Sequence, residues 1–169
     1  MGDIDERVSR AGSQPRFPLA DSSGSDPLAK MISENENLEV LSDRELLELL
    51  KKIENCGPER STKVPKFLSQ LLTHKNSSIR KSAFASCLAI LAVPQNTRQI
   101  LLDSYRLALC CADFQVSQHA LSLLPDFVDT CPEEANNLIV FGTIAYKMLP
   151  AASTESEIHL SRALMKASQ

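Results

Sequence analysis

From Ser42 onward the apolar positions of the chain recur at helical spacing. Leu46, Leu47, Leu50 and Ile53 fall on one stripe, with Leu49 at its edge. Ahead of them, Ser42-Asp43-Arg44-Glu45 reads as a capping box: the Ser hydroxyl takes the Glu45 N–H while the carboxylate reaches back. Gly57-Pro58 stops this helix. A second runs from Ser61 to about Thr73, with Val64, Phe67, Leu68, Leu71 and Leu72 on its apolar face and Pro65 tolerated only in the first turn. After the turn His74-Lys75-Asn76, Ser77 is placed to cap a helix carrying Ile79, Ala83, Cys87, Ile90 and Leu91, which ends before Pro94. Asn96 or Thr97 caps the next, with Ile100, Leu101, Tyr105, Ala108 and Leu109. Asp113 marks a turn. Val116, Ala120, Leu123, Leu124, Phe127 and Val128 follow, with Pro125 kinking that helix or ending its regular part. A last pair spans Pro132 to about Met148 and Thr154 to about Ala167, the second opened by a capping box of Thr154 and Glu157. The stretch Asn137 to Tyr146 is apolar all round, as expected of a helix covered on both sides.

These helices repeat. Shifting the chain by 37 residues brings Val64 onto Leu101, Leu68 onto Tyr105, Leu72 onto Leu109, Ile79 onto Val116, Ala83 onto Ala120, Ile90 onto Phe127 and Leu91 onto Val128. A second shift brings Leu101 onto Leu138 and Ala108 onto Ala145, then fails, because Ala120 meets Glu157. Helix pairs with a period near 40 mark HEAT or armadillo solenoids, and Ile79-Arg80-Lys81-Ser82-Ala83 is similar to the second-helix pattern of a HEAT repeat. The expected fold is all-α: about six helices in HEAT/armadillo-like antiparallel pairs, forming a short right-handed α-solenoid. An irregular helical bundle with a chance offset is the alternative. The repeat domain is expected over 38–169. Residues 1–37 hold three of the five glycines and three prolines, with scattered apolar positions of no period, and read as a disordered N-terminal arm.

Composition narrows the function classes. The 169 residues are 43% hydrophobic and 23% charged, the balance of a globular domain. With 5% aromatic residues and no Trp, an aromatic stacking platform for single-stranded nucleic acid is disfavoured. No secretory signal is expected at the N-terminus, and Glu6 stands where a myristoylation signal places Ser or Thr. The uncharged run Ser82–Thr97 is interrupted by Pro94 and falls short of the roughly 20 apolar residues of a membrane span. Cys56, Cys87, Cys110, Cys111 and Cys131 form no Cys-x-x-Cys pair and read as reduced, mostly buried thiols. After Gly24 only Gly57 and Gly142 remain, which leaves no glycine-rich phosphate cradle. His74, His119 and His159 are isolated in sequence, and His119 is expected to be a half-buried structural residue. No catalytic set, metal site or cofactor is expected.

Charge is distributed in blocks. Residues 1–57 carry net −5, residues 58–111 net +6 and residues 112–169 net −4. The basic block comprises Arg60, Lys63, Lys66, Lys75, Arg80, Lys81, Arg98 and Arg106. Several of these fall in or near first helical turns, where positive charge opposes the helix dipole. Arg60, Lys63, Lys66, Lys75, Arg80 and Lys81 are therefore the candidate face for an anionic partner, either an acidic protein segment or a phosphate backbone. A solvated face, or ion pairs with the acidic C-terminal half, is the alternative.

Leu121-Ser122-Leu123-Leu124-Pro125-Asp126-Phe127-Val128, followed by Cys131, Glu133, Ala135 and Leu138, resembles the C-terminal region of the Integrator complex subunit 1 family. The helix near Ile158 to Ala167 is similar more loosely, and the resemblance extends from about residue 40 to the end. It implies a nuclear, non-enzymatic scaffold whose partners are other Integrator subunits. Through them it would work indirectly with the RNA polymerase II machinery, in small nuclear RNA 3′-end processing and early termination. It carries over no catalytic residue, no cofactor and no membrane contact. A generic HEAT or armadillo adaptor, and a small helical nucleic-acid-binding domain using the basic face, are the alternatives.

Overall fold

The computed structural model describes residues 27–34, 38–57, 63–93, 98–150 and 154–168. Among them are nine α-helices and no strand: α1 (Pro27–Glu34), α2 (Asp43–Cys56), α3 (Val64–Ser69), α4 (Ser77–Leu91), α5 (Arg98–Leu109), α6 (Phe114–Ser122), α7 (Leu124–Thr130), α8 (Ala135–Met148) and α9 (Thr154–Ala167). Local chemistry sets most of the boundaries. The capping box ahead of α2 is formed, with Glu45 N–H donating to Ser42 Oγ (3.2 Å) and Ser42 N–H donating to Glu45 Oε1 (2.9 Å). Those bonds also hold the Glu45 carboxyl below its ordinary pKa. At the other end of α2, Gly57 closes the helix at φ 83°, where a side chain would be strained. The cap of α4 is Asn76 rather than the expected Ser77: its Oδ1 accepts from Ser78 and Ile79 N–H, and Ser77 is already helical. Asp113 caps α6 through Gln115 N–H. Pro125 acts as read: Leu123 leaves helical geometry (φ −99°, ψ 0°), and Pro125 sits in the first turn of α7. Thr154 is itself the first helical residue of α9, while Asn96 and Thr97 lie outside the described residues.

The helices stack in two layers. One is α1, α3, α5 and α8 in succession; the other is α2, α4, the α6–α7 pair and α9. In the second layer α4 also packs on α3, α6 on α5, and α7 and α9 on α8. This is a short helical-repeat solenoid with four pairs, one more than the sequence reading counted. The added helix is α1. Residues 1–26 and 35–37 of the expected arm lie outside the described residues, but 27–34 is helical, rests on α3 and buries Ile32.

Three rings sit between the layers. Tyr105 of α5 stacks on Phe127 of α7 at 3.7 Å between centroids, and Phe84 of α4 stands edge-on to both, at 6.1 and 6.2 Å. The Tyr105 hydroxyl donates to the Ala120 carbonyl (2.7 Å), so a buried phenol keeps a partner, and its burial raises its pKa well above ordinary. Gly142 brings α8 onto α7: a Cβ there would lie 2.5 Å from Leu124 Cδ2.

A candidate interaction surface

The structure disperses the basic residues that the sequence grouped. Arg60 lies outside the described residues. Lys63 and Lys66 are exposed on α3, in the first layer; Lys75 is exposed in the turn after it; Lys81 is exposed on α4, in the second layer. Lys63 Nζ donates to Ser33 Oγ of α1. Arg80 is no surface residue at all, being only 4% exposed. Its Nη1 donates to the carbonyls of His74 (2.8 Å) and Lys75 (3.1 Å), and its Nε–H to Nδ1 of His119 on α6 (3.1 Å). A cation in the first turn of α4 thus serves carbonyls of the preceding turn and ties one pair to the next. His119 also faces the Phe84 ring at 5.2 Å. Burial, then the charges of Arg80 and Lys81, push its pKa below the ordinary value. The half-buried structural role expected of His119 is observed.

The two remaining arginines of the block pair with the acidic C-terminal half. Arg98 Nη2 donates to Glu133 Oε1 (2.8 Å) and to Cys131 Sγ (3.1 Å). Burial raises the pKa of the Cys131 thiol, against the opposing pull of Arg98. Arg106 is more deeply embedded. It donates to Asp103 Oδ1 (2.7 Å), Glu134 Oε1 (2.7 Å) and Asn137 Oδ1, and its guanidinium lies 5.8 Å from the centroid of the Phe141 ring. For Arg98 and Arg106, therefore, the alternative reading of contacts to the acidic half holds.

What the sequence reading missed is an apolar row on the outer face of the first layer. Helix α8 was expected to be covered on both sides. Leu138, Gly142 and Ala145 are indeed buried, but Val140, Ile144 and Met148 are 54%, 45% and 51% exposed. Spaced by four, they line one side of α8. On the neighbouring α5, Leu107 is 71% exposed, at the position 37 residues before Ile144, and Ile100 is exposed on the same side, two turns earlier. The same positions on α3 carry Lys63, Lys66 and Gln70, all exposed. The surface therefore becomes apolar in steps: α5 keeps the exposed Asp103 at the position between Lys66 and Val140 in the repeat, and α8 carries apolar residues throughout its row. The signal available in sequence was the all-round apolarity of α8, which does not reveal which side stays uncovered.

A smaller groove of about 170 Å³ lies between α1 and α2, floored by Met31, Leu41 and Leu49 and edged by Glu45, Glu48 and Lys52. Among the described residues no three His, Cys, Asp or Glu side chains converge as metal ligands, and no helix is long and apolar enough to cross a membrane. His74 takes the Asn76 N–H on Nδ1 and lies 3.9 Å from Asp43, and His159 is half-buried on α9.

A family model described as Integrator complex subunit 1, R4 domain, matches residues 29–132. The match begins inside α1, ends just past α7 and so takes in the first three helix pairs. No curated protein and no solved structure matches the chain.

Proposed function

The chain belongs to the Integrator complex subunit 1 family, and from that premise we propose that it is a non-catalytic scaffold module that binds other Integrator subunits in the nucleus. Through them it contributes to small nuclear RNA 3′-end processing and early termination by RNA polymerase II. The observation that carries this reading is the family match across three stacked helix pairs. Stacked pairs present long, continuous side surfaces to partners, and neighbour contacts alone hold them in place. The test is affinity purification of the tagged full chain from nuclear extract: Integrator subunits are expected in the eluate, and recovery of none of them refutes the reading. Among the described residues of the basic block, a nucleic-acid role would rest on the lysines, because Arg80, Arg98 and Arg106 are engaged within the fold. It requires binding that weakens steeply with salt and is lost when Lys66, Lys75 and Lys81 are neutralised.

A further inference from the structure

We propose that α1 is a detachable latch on the first end of the stack: it leaves α3 and unfolds as a unit while α2 to α9 stay in place. The difference between α1 and α2 points to this. Helix α2 is 14 residues long, is capped by the Ser42–Glu45 box and by Gly57, and buries Leu46, Leu49, Leu50 and Ile53. Helix α1 has eight residues. Pro27 suits its first position. Yet no acidic side chain stands in its first turn and no basic one in its last, where Glu34 instead opposes the helix dipole. Among its described side chains Ile32 is buried, Ala29 and Met31 are half-buried, and Lys30, Ser33 and Glu34 are exposed. It rests on α3, with Lys63 Nζ donating to Ser33 Oγ at the exposed rim. The later pairs meet directly, α4 on α3, α6 on α5 and α9 on α8. Helix α2, by contrast, stands off from α1 across the groove of about 170 Å³, with Met31 on one side and Leu41, Glu45 and Leu49 on the other. A helix shorter than about 12 residues is not stable alone in water, so α1 melts once it leaves α3. Elements with few buried apolar contacts open at the low end of the range of local free energies. Release takes the Met31 wall off the groove and Ser33 away from Lys63. The latch thus controls access to the apolar floor beside α2, and it does so independently of the scaffold reading.

Native-state hydrogen exchange of the full chain, followed by mass spectrometry in urea below the unfolding transition, tests the latch. Amides of 27–34 should exchange roughly 10–100-fold more slowly than in the unfolded chain, and those of α2 to α5 at least about 100-fold more slowly again. The α1 exchange should also rise less steeply with urea than global unfolding does, because release exposes far less surface. Ile32→Glu should bring 27–34 to the unfolded rate while α2 to α9 remain folded. Exchange in those helices should then quicken by no more than the protection that α1 has lost. Glu34→Gln should slow α1 exchange by about 2-fold, through the helix dipole. Equal protection and equal urea slope in α1 and α3 would mean that α1 opens only by global unfolding, and overturn the proposal. Exchange of 27–34 at the unfolded rate in the wild type also overturns it, since no latch is then closed. So does an Ile32→Glu chain that unfolds, or whose α4 to α8 amides quicken by far more than α1 lost, since α1 is then part of the core.

Discussion

Replacing Gly142 by alanine sets two effects of opposite sign against each other, and the structure decides between them. Inside a helix, alanine is favoured over glycine by roughly 1 kcal/mol, because glycine exacts more backbone entropy. The added Cβ, however, would lie 2.5 Å from Leu124 Cδ2 and 3.6 Å from Leu121 Cδ1. Carbon atoms rest near 3.5–4.0 Å apart, so the Leu124 contact is short by about 1 Å. Leu124 and Leu121 are both fully buried, and neither can swing into water. Forcing an extra methyl into such a site costs about 1–3 kcal/mol. The overpacking therefore wins, and Gly142→Ala should destabilise the protein by about 1 kcal/mol, a fall of roughly 2–4 °C in Tm for a chain of this size.

The decisive arrangement is a double-mutant cycle read by urea unfolding. Leu124→Ala alone should cost about 2–5 kcal/mol. In that background the clash is gone, so Gly142→Ala should stabilise by about 1 kcal/mol and partly fill the space left. A sign reversal between the two backgrounds is the expected result. If the two substitutions simply add, or if Gly142→Ala stabilises the wild type, the close approach of α8 to α7 is not what keeps glycine at this position.

Arg80→Met should cost about 3 kcal/mol in urea unfolding, since it strips partners from two carbonyls and from His119, and Arg80→Lys should restore only part, lacking the fork that reaches all three; full rescue by Lys refutes this. His119 has a folded pKa below its unfolded value of about 6.5, so the unfolded chain binds the proton first. Its contribution is complete above pH 6.5 and is lost as pH falls from there through the folded pKa. Stability measured at pH 5 and 7.5 should thus differ more in wild type than in His119→Gln, and an equal difference would show that His119 does not titrate against Arg80. Ser86 Oγ is buried with no hydrogen-bond partner among the described residues, so Ser86→Ala should stabilise by about 1 kcal/mol, and a loss of stability would reveal a bond that this geometry does not contain.

The repeat was more legible than the reading made of it. Shifted back by another 37 residues, the buried α4 positions Ala83, Ser86, Cys87 and Ile90 fall on Leu46, Leu49, Leu50 and Ile53, all buried on α2. A pair preceding α3 was therefore written in the stripe of α2. Its first helix escaped notice because α1 is eight residues long and its described side chains bury only Ile32. Averaged with the glycine-rich sequence before it, so short a segment shows no period. The breakdown of the shift at the far end also has a physical cause. Helix α8 is two residues longer than α5 and the connection before α9 is one residue longer than that before α6, so the offset becomes 40, at which Val116 and Leu123 fall on Ser156 and Ala163, both buried. The phase changed while the packing continued.

The candidate surface was less legible, because charge and apolarity counted along a chain carry no direction. Arg80 and Lys81 are neighbours of like charge, and the sequence placed both on one anion-binding face. In helix α4 they stand about 100° apart, which turns one into the turn and toward His119 and leaves the other in solvent. Arg98 and Arg106 likewise look inward, toward carboxylates some 30 residues later in the chain, a pairing that only the stacking of α5 on α8 creates. The same stacking explains the apolar row. A helix at the side of a two-layer stack is covered by its layer neighbour and by the opposite layer, and its outward side meets none of the described residues. Where that side carries Lys or Gln, as on α3, water suffices. Where it carries leucine, valine, isoleucine and methionine, as on α5 and α8, about 25 cal/mol per Å² of exposed apolar surface is released on covering it. The fold thus separates the two kinds of residue that the sequence had mixed: Arg80, Arg98 and Arg106 hold neighbouring pairs together, while Ile100, Leu107, Val140, Ile144 and Met148 stay exposed.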